Sequence, residues 1–301
     1  MSILKRIASV AAAAVMLAEG AVSAYAADGD FLYSKQKNGT LMLTKYKGTD
    51  TKVTIPAEIN GFKVTELYDT FEKNEDITSV IIPSGVKTIG YSAFLECRSL
   101  ETAVVPEGVE TLGLYSFGHC VQLKNITLPK SLKTILPGAF SCCVRLEEIN
   151  IPKGITEIPF NCFNDCRKMR SVVIPDGVVT IDEGAFSSCA ELKTVSVPDS
   201  VTTIHDWAFS NPAEGMSIIC SKGSTAYNFA KKNSLGVALT GSAERGDVNG
   251  DGVINMKDLT TLQRKVNGWD EDVLFKGADT DASYEINMKD ITTLQIMINS
   301  K

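Results

Sequence analysis

The chain has 301 residues, with 36 acidic against 30 basic side chains, a formal charge of −6 and 44% hydrophobic residues, which suits two modest domains. The acidic balance, with no Lys/Arg cluster to offset it, argues against nucleic acid as a partner. After the first residues no stretch approaches 18 apolar positions, so no membrane span is expected in the mature chain.

In chain order, Lys5 and Arg6 precede an apolar run over residues 7–18, and Ala24 and Ala26 frame a cut before Ala27. Residues 1–26 therefore read as a secretory signal, and the mature protein is expected to be secreted and extracellular.

Self-similarity dominates residues 27–240. Pro83, Pro106, Pro129, Pro152, Pro175 and Pro198 stand 23 residues apart, and Phe94, Phe117, Phe140, Phe163, Phe186 and Phe209 keep the same period. One unit reads RSVVIPDGVVTIDEGAFSSCAEL, residues 170–192. Period and apolar pattern point to a leucine-rich-repeat solenoid. A short strand is expected before each proline, with residues one and three before it inward, as Val172 and Ile174; the proline is tolerated because the ladder stops there. GAFSSC is expected to make a helical turn that faces Phe and Cys to the core.

Of eight cysteines, Cys97, Cys120, Cys143, Cys166 and Cys189 recur every 23 residues. An unbroken ladder of equivalents cannot pair completely, so they are expected as buried free thiols acting as small core residues. Cys142, Cys162 and Cys220 lie off that ladder and their state is open. Solenoid ends must be sealed; residues 31–61 read as the N-cap and 223–237, with a GSTAYNFAKKN helix, as the C-cap.

The IP dipeptide, the VxxI step and the AFxxC turn make the unit resemble the bacterial surface-antigen (BspA-like) class of leucine-rich repeats. That resemblance implies a concave strand face that binds partners. Its outward positions are Ile81, Val104, Thr127, Asn150, Val173 and Ser196, and one pleat earlier Ser79, Thr102, Asn125, Glu148, Ser171 and Thr194. The face carries no aromatic platform for a sugar ring, so a protein or cell-surface partner is favoured over a polysaccharide.

Catalysis finds little support. Glycoside hydrolysis needs two carboxylates facing across a cleft, and the adjacent Glu147 and Glu148 start a strand and should face different ways. Glu101 and Glu107 share a coil without a sign of burial. His119 and His205 occupy variable repeat positions and read as surface residues.

A linker, 241–246, leads to residues 247–301. Here INMKDLTTLQ (254–263) and INMKDITTLQ (286–295) follow oxygen-bearing residues at alternate positions. Asp247, Asn249, Asp251, Asn255 and Asp258 take positions 1, 3, 5, 9 and 12 of one loop; Asp279, Asp281, Ser283, Asn287 and Asp290 take them in the other. The backbone carbonyls of Val253 and Glu285 would fill position 7. Such spacing suits a hard cation of flexible geometry, calcium above all. The helices that follow show the stripes Leu259, Leu262, Val266 and Ile291, Leu294, Ile298, able to bury against each other. So small a module has little core, and metal binding is expected to be part of its folding free energy. Gly252 suits the sharp turn at position 6, where the second loop has Tyr284, so the first of two sites is expected to be tighter.

Two EF-hand-like loops, each followed by a single helix and closed by Asp at position 12, resemble the type I dockerin. The resemblance implies calcium-dependent binding to a cohesin of a scaffolding protein, typically in cellulosomes. It places the contact just after each loop and further along each helix: Met256, Lys257, Gln263 and Arg264, with Met288, Lys289, Gln295 and Ile296. The family often has Ser-Thr where this chain has Met-Lys, and near-identity of the halves suggests two binding orientations.

The expected whole is an α+β protein, a solenoid followed by a small all-α calcium-binding dockerin. It reads as a non-catalytic component of a polysaccharide-degrading complex, attached to the cell surface through a scaffold. An adhesin or inhibitor displayed on the scaffold is the alternative, and a glycoside hydrolase-associated enzyme the weakest.

Overall fold

The structure, a computed structural model, describes residues 28–240, 245–249, 253–268, 272–283 and 285–300. The expected signal segment lies outside the described residues, as do Asp251, Gly252 and Tyr284.

Val, Ile and Thr crowd the segment before each proline, and their stiff side chains suit a pleated, half-buried surface. Strands form there at Lys52–Thr54, Ser79–Ile81, Thr102–Val104 and Asn125–Thr127, then at Ser171–Val173 and Thr194–Ser196, and the ladder continues, without a following proline, at Ser217–Cys220 and Gly236–Leu239. Repeat neighbours are parallel and pair equivalent residues, as Ser79 with Thr102 and Thr102 with Asn125. Val172 and Ile174 point inward as expected, each 2% exposed.

A second strand, which the proline pattern does not announce, follows the IP turn of each coil. These strands are Thr88–Ile89, Thr111–Leu112, Thr134–Ile135, Glu157–Ile158, Thr180–Ile181 and Thr203–Ile204. They are the VxxI step: the isoleucine or leucine goes inward and the residue before it outward. Most coils thus wrap their core between two narrow parallel ladders.

Two expectations need correction. Glu147 and Glu148 do not start a strand; Glu148 makes one isolated bridge to Asn125, and the ladder restarts at Ser171–Val173. Adjacent glutamates are poor strand formers. The AFxxC segment is also not a helical turn. Ala185 N–H donates to Asp182 O and Ser187 N–H to Gly184 O, whereas Phe186 N–H reaches Ala208 O and Ser188 N–H reaches Ser210 O in the next coil. A helix would keep every amide in its own coil; here every second one crosses to the neighbour. The alternation requires left-handed backbone twice in this turn, at Gly184 (φ 67°) and Ser188 (φ 59°). At Ser188 that costs about 1–2 kcal/mol, offset by hydrogen bonds between coils.

Inside the wrap the repeated Phe residues form a column. Phe71, one period ahead of the recognised series, stacks on Phe94 at 5.1 Å, and the column runs to Phe209 with rings within 13° of parallel. Beside it, the laddered thiols are free and buried. Each donates to the carbonyl of a Phe in the preceding coil, as Cys120 to Phe94 at 3.2 Å and Cys143 to Phe117 at 3.2 Å. Cys162 and Cys220 are free and buried too, and Cys142 is free and half-buried.

The caps end the column by turning the rings. At the N-terminus the antiparallel strands Phe31–Lys35 and Leu41–Tyr46 set Tyr46 tilted on Phe71. At the other end Phe229 tilts on Phe209 from helix α1, Thr225–Lys232, whose Ser224 N-cap accepts from Tyr227 N–H at 3.1 Å.

The C-terminal module has helices α2 (Met256–Val266), α3 (Phe275–Ala278) and α4 (Met288–Asn299). The two predicted stripes meet there: Leu259, Leu262 and Leu294 are buried, with Val266, Ile291 and Ile298 packed on them. The short α3, absent from the sequence reading, adds Ala278, and Val273 before it completes the core.

Candidate cation loops and docking face

Asp258 and Asp290, at position 12 of the loops, are each fully buried. Asp258 Oδ1 accepts from the amides of Val248 (2.8 Å) and Asn249 (3.1 Å), and its Oδ2 from Asn255 N–H (2.9 Å). Asp290 repeats this with Thr280 (2.7 Å), Asp281 (3.2 Å) and Asn287 (2.8 Å). Each carboxylate ties the beginning of its loop to the beginning of the following helix. Spacing alone suggests a ligand; the structure shows that the same group also closes the loop and completes a capping box.

In the second loop Asp279, Asp281 and Asp290 bring carboxylate oxygens within 4.8 Å of one another. Ser283 N–H donates to both Asp279 Oδ1 (2.9 Å) and Asp281 Oδ1 (3.0 Å), and Ser283 Oγ lies 3.3 Å from the Glu285 carbonyl. Three of the six expected positions thus converge, and Ser283 links two of them by hydrogen bonds to the Glu285 carbonyl. Hydrogen bonding from Ser283 holds the Asp281 carboxyl below the usual range, while burial pushes that of Asp290 up against the amides that favour its charge. Asp279 and Asp290 are buried and Asp281 exposed. Like charges at this spacing repel by about 1–3 kcal/mol per pair, which a divalent cation between them would reverse. An all-oxygen set with converging carboxylates fits calcium.

The sixth position has a second use. Asn255 and Asn287 are helix N-caps: their Oδ1 atoms accept from Lys257 N–H (2.7 Å) and Lys289 N–H (2.8 Å). Asn255 Nδ2 also donates to the Val253 carbonyl at 3.0 Å. In the first loop Asp247 is buried and Asn249 is held through its amide by Asp258; Asp251 lies outside the described residues. The left-handed residue in the described part of the second loop is Ala282 (φ 60°), and Tyr284, where the strain is expected, is not among those residues.

The expected contact residues are presented outward. Met256, Met288 and Ile296 are 56%, 61% and 64% exposed, large values for apolar side chains. Lys257, Gln263, Arg264 and Lys289 are exposed and Gln295 half-buried. On the solenoid, Ile81, Val104 and Val173 are exposed on the strand face as expected. Thr194 is not; it is buried between Ser171 and Ser217 of the flanking strands. Among the described residues no helix is long and apolar enough to cross a membrane.

Two known families match different parts of the chain. The BspA type leucine-rich repeat region matches at residues 65–166, 87–216 and 156–232, and the type I dockerin domain at 245–299. Both are non-catalytic interaction modules, and type I dockerins bind calcium and pair with cohesins. No curated protein matches the chain. Among solved structures, a leucine-rich repeat protein from Bacteroides ovatus is 19% identical, with a TM-score of 0.50 over 75% of this chain and 69% of that one. The leucine-rich repeat protein of T. pallidum is 24% identical over 70% of this chain and 94% of that one, with a TM-score of 0.45. The Bacteroides likeness concerns the fold alone. The chain belongs to the BspA-type leucine-rich-repeat family, and its C-terminal residues 245–299 match a type I dockerin domain.

Proposed function

We propose that the chain is a secreted, non-catalytic passenger of a cohesin-bearing scaffold, of the kind that degrades polysaccharides. Its dockerin binds cohesin only when calcium fills both loops, while the solenoid's strand face engages a protein or cell-surface partner. The observation that carries the reading is the convergence of Asp279, Asp281 and Asp290 behind the exposed Met288 and Lys289. The cation would be held in the second loop by those carboxylates with Ser283 and the Glu285 carbonyl. In the first it would be held by Asp247, Asn249, Asp251, the Val253 carbonyl and Asp258. Asn255 and Asn287, committed to capping, would complete each set through a water. The first site is the tighter, so Asp247→Ala lowers calcium affinity more than Asp279→Ala.

Titrating the full chain with a type I cohesin by calorimetry, in calcium and again with a chelator, tests the reading. Binding in calcium that vanishes with chelator is the expected result. Calcium uptake without any cohesin binding would mean that the loops serve the dockerin's fold and not this partner.

A further inference from the structure

The last solenoid strand, Gly236–Leu239, pairs with Ser217–Cys220 on one side. Its other side would offer open amides and carbonyls, an edge that invites unwanted pairing. The dockerin occupies it. Leu239 N–H donates to Val273 O at 2.6 Å and Leu239 bridges in parallel to Leu274, whose own N–H donates to Val248 O at 3.1 Å. Lys265, near the end of α2, donates through Nζ to Val237 O at 2.6 Å.

Beside this ladder Asp272 enters the cap. Its Oδ2 accepts from the Tyr227 hydroxyl at 3.0 Å and lies 3.4 Å from Lys222 Nζ, and its Oδ1 lies 3.3 Å from Lys231 Nζ. The side chain is 19% exposed. An exposed ion pair contributes about 0–1 kcal/mol; a largely covered carboxylate that accepts from one hydroxyl and lies between two ammonium groups next to a backbone ladder is a stronger contact, its direction set by the Tyr227 hydrogen bond. Tyr227 and Lys231 belong to α1, so two cap groups and the adjoining Lys222 converge on one dockerin residue. Val248 links this contact to the first loop. Its carbonyl accepts from Leu274 while its amide donates to Asp258 Oδ1, and it stands between Asp247 and Asn249.

We propose that the dockerin is the outer half of the solenoid's C-terminal cap, docked through Asp272 and residues 273–274, and that ordering of the first loop by a cation tightens the solenoid's last strand through Val248. The second half of this statement rests on the cation reading given above. If the loop opens, Val248 withdraws, the 272–274 segment loses its backing, and the Leu239 amide faces water.

Amide hydrogen exchange on the full chain, followed over residues 236–240, tests both halves. It is run in calcium and in chelator, on the wild type and on Asp272→Asn and Tyr227→Phe, with calcium uptake measured in parallel by calorimetry. In calcium the Leu239 amide should be protected, and chelation should speed its exchange by about tenfold or more. Asp272→Asn should produce a similar loss of protection; since Asp272 is no loop ligand, the calcium stoichiometry should stay the same, while the first site's affinity should weaken by a similar factor, because the coupling is reciprocal. Tyr227→Phe should do so more weakly, and, lying on the solenoid side, it decides the matter if Asp272→Asn does not fold. Equal exchange in the wild type and both variants overturns the docking. Calcium uptake with no effect on residues 236–240 overturns the transmission. Absence of calcium uptake overturns the cation reading, while the variants still judge the docking.

Discussion

Along the solenoid the deepest positions are Phe71 through Phe209, stacked rings no more than 4% exposed, whereas in the dockerin the deepest include the carboxylates of Asp258 and Asp290. One region is held by apolar area repeated coil after coil. The other spends its few buried apolar residues on pairing two helices and leaves the loops to charge. The difference teaches where each is vulnerable: the solenoid to lost volume, the dockerin to lost counter-charge.

The largest effect should come from the column. Phe140→Ala removes a ring between two stacked neighbours and should lower stability by about 3–5 kcal/mol, read as a drop in the solenoid's thermal midpoint with α2 and α4 little changed. Equal losses at Phe140 and at Phe209, the last ring, which is stacked on one side only, would show that stacking adds nothing to burial.

A smaller effect, and one that depends on the ion, should come from Asp281→Asn. The amide oxygen can still accept from Ser283, so the substitution mainly removes charge. In chelator it should change the dockerin little, with a slight loss, because hydrogen bonding from Ser283 favours the charged carboxyl; in calcium it should weaken cation affinity and destabilise clearly. Helix content of the module during thermal melts under both conditions reads the difference, and equal losses in both would sink the charge argument.

The contact between the regions should respond to acid. Burial pushes the Asp272 carboxyl up, but the Tyr227 hydroxyl and the Lys231 and Lys222 ammonium groups outweigh it and leave it below the usual carboxylate range. A group depressed in the folded state adds stability that is full above its unfolded pKa and is lost as pH falls through the folded one. Protection of residues 236–240 should therefore hold at neutral pH and decline only in acid below the ordinary carboxylate range, and Asp272→Asn should abolish this dependence.

The least energetic test concerns thiols. Burial raises the Cys189 thiol to about 12 and that of Cys220 to about 11. Only the thiolate attacks an alkylating reagent, so at neutral pH the half-buried Cys142 should label first in the native protein. Early labelling of Cys189 would mean that the coils breathe.

How much of this was legible beforehand follows from what repeats. Proline, phenylalanine and cysteine recur at fixed spacing, and each has a steric reason to, so the solenoid, its inward residues and its free thiols could be read directly. The second strand was missed because two residues are too few to show alternation. The turn was mistaken for a helix because AFSSC carries helix-like spacing; only the neighbouring coil shows where its amides go. In the dockerin the oxygen spacing pointed to the cation loops, but not to the use of Asn255 and Asn287 as helix caps, since capping and ligation favour the same residue types. Asp272 carried no local signal at all. Its role depends on Lys222, Tyr227 and Lys231, over 40 residues earlier, as the separation of Tyr227 and Asp272 shows.

The parallel register has a consequence for how such a gene can change. Because Ser79, Thr102 and Asn125 meet as equivalents, a coil leaving the array presents to its new neighbour the same surface that its old neighbour met. Recombination between repeats in the DNA can therefore shorten or lengthen the protein by whole units without redesigning any contact. The two caps, and the dockerin fixed to one of them, would simply travel along with the ends, and the reach of the molecule becomes a heritable quantity that varies in discrete steps.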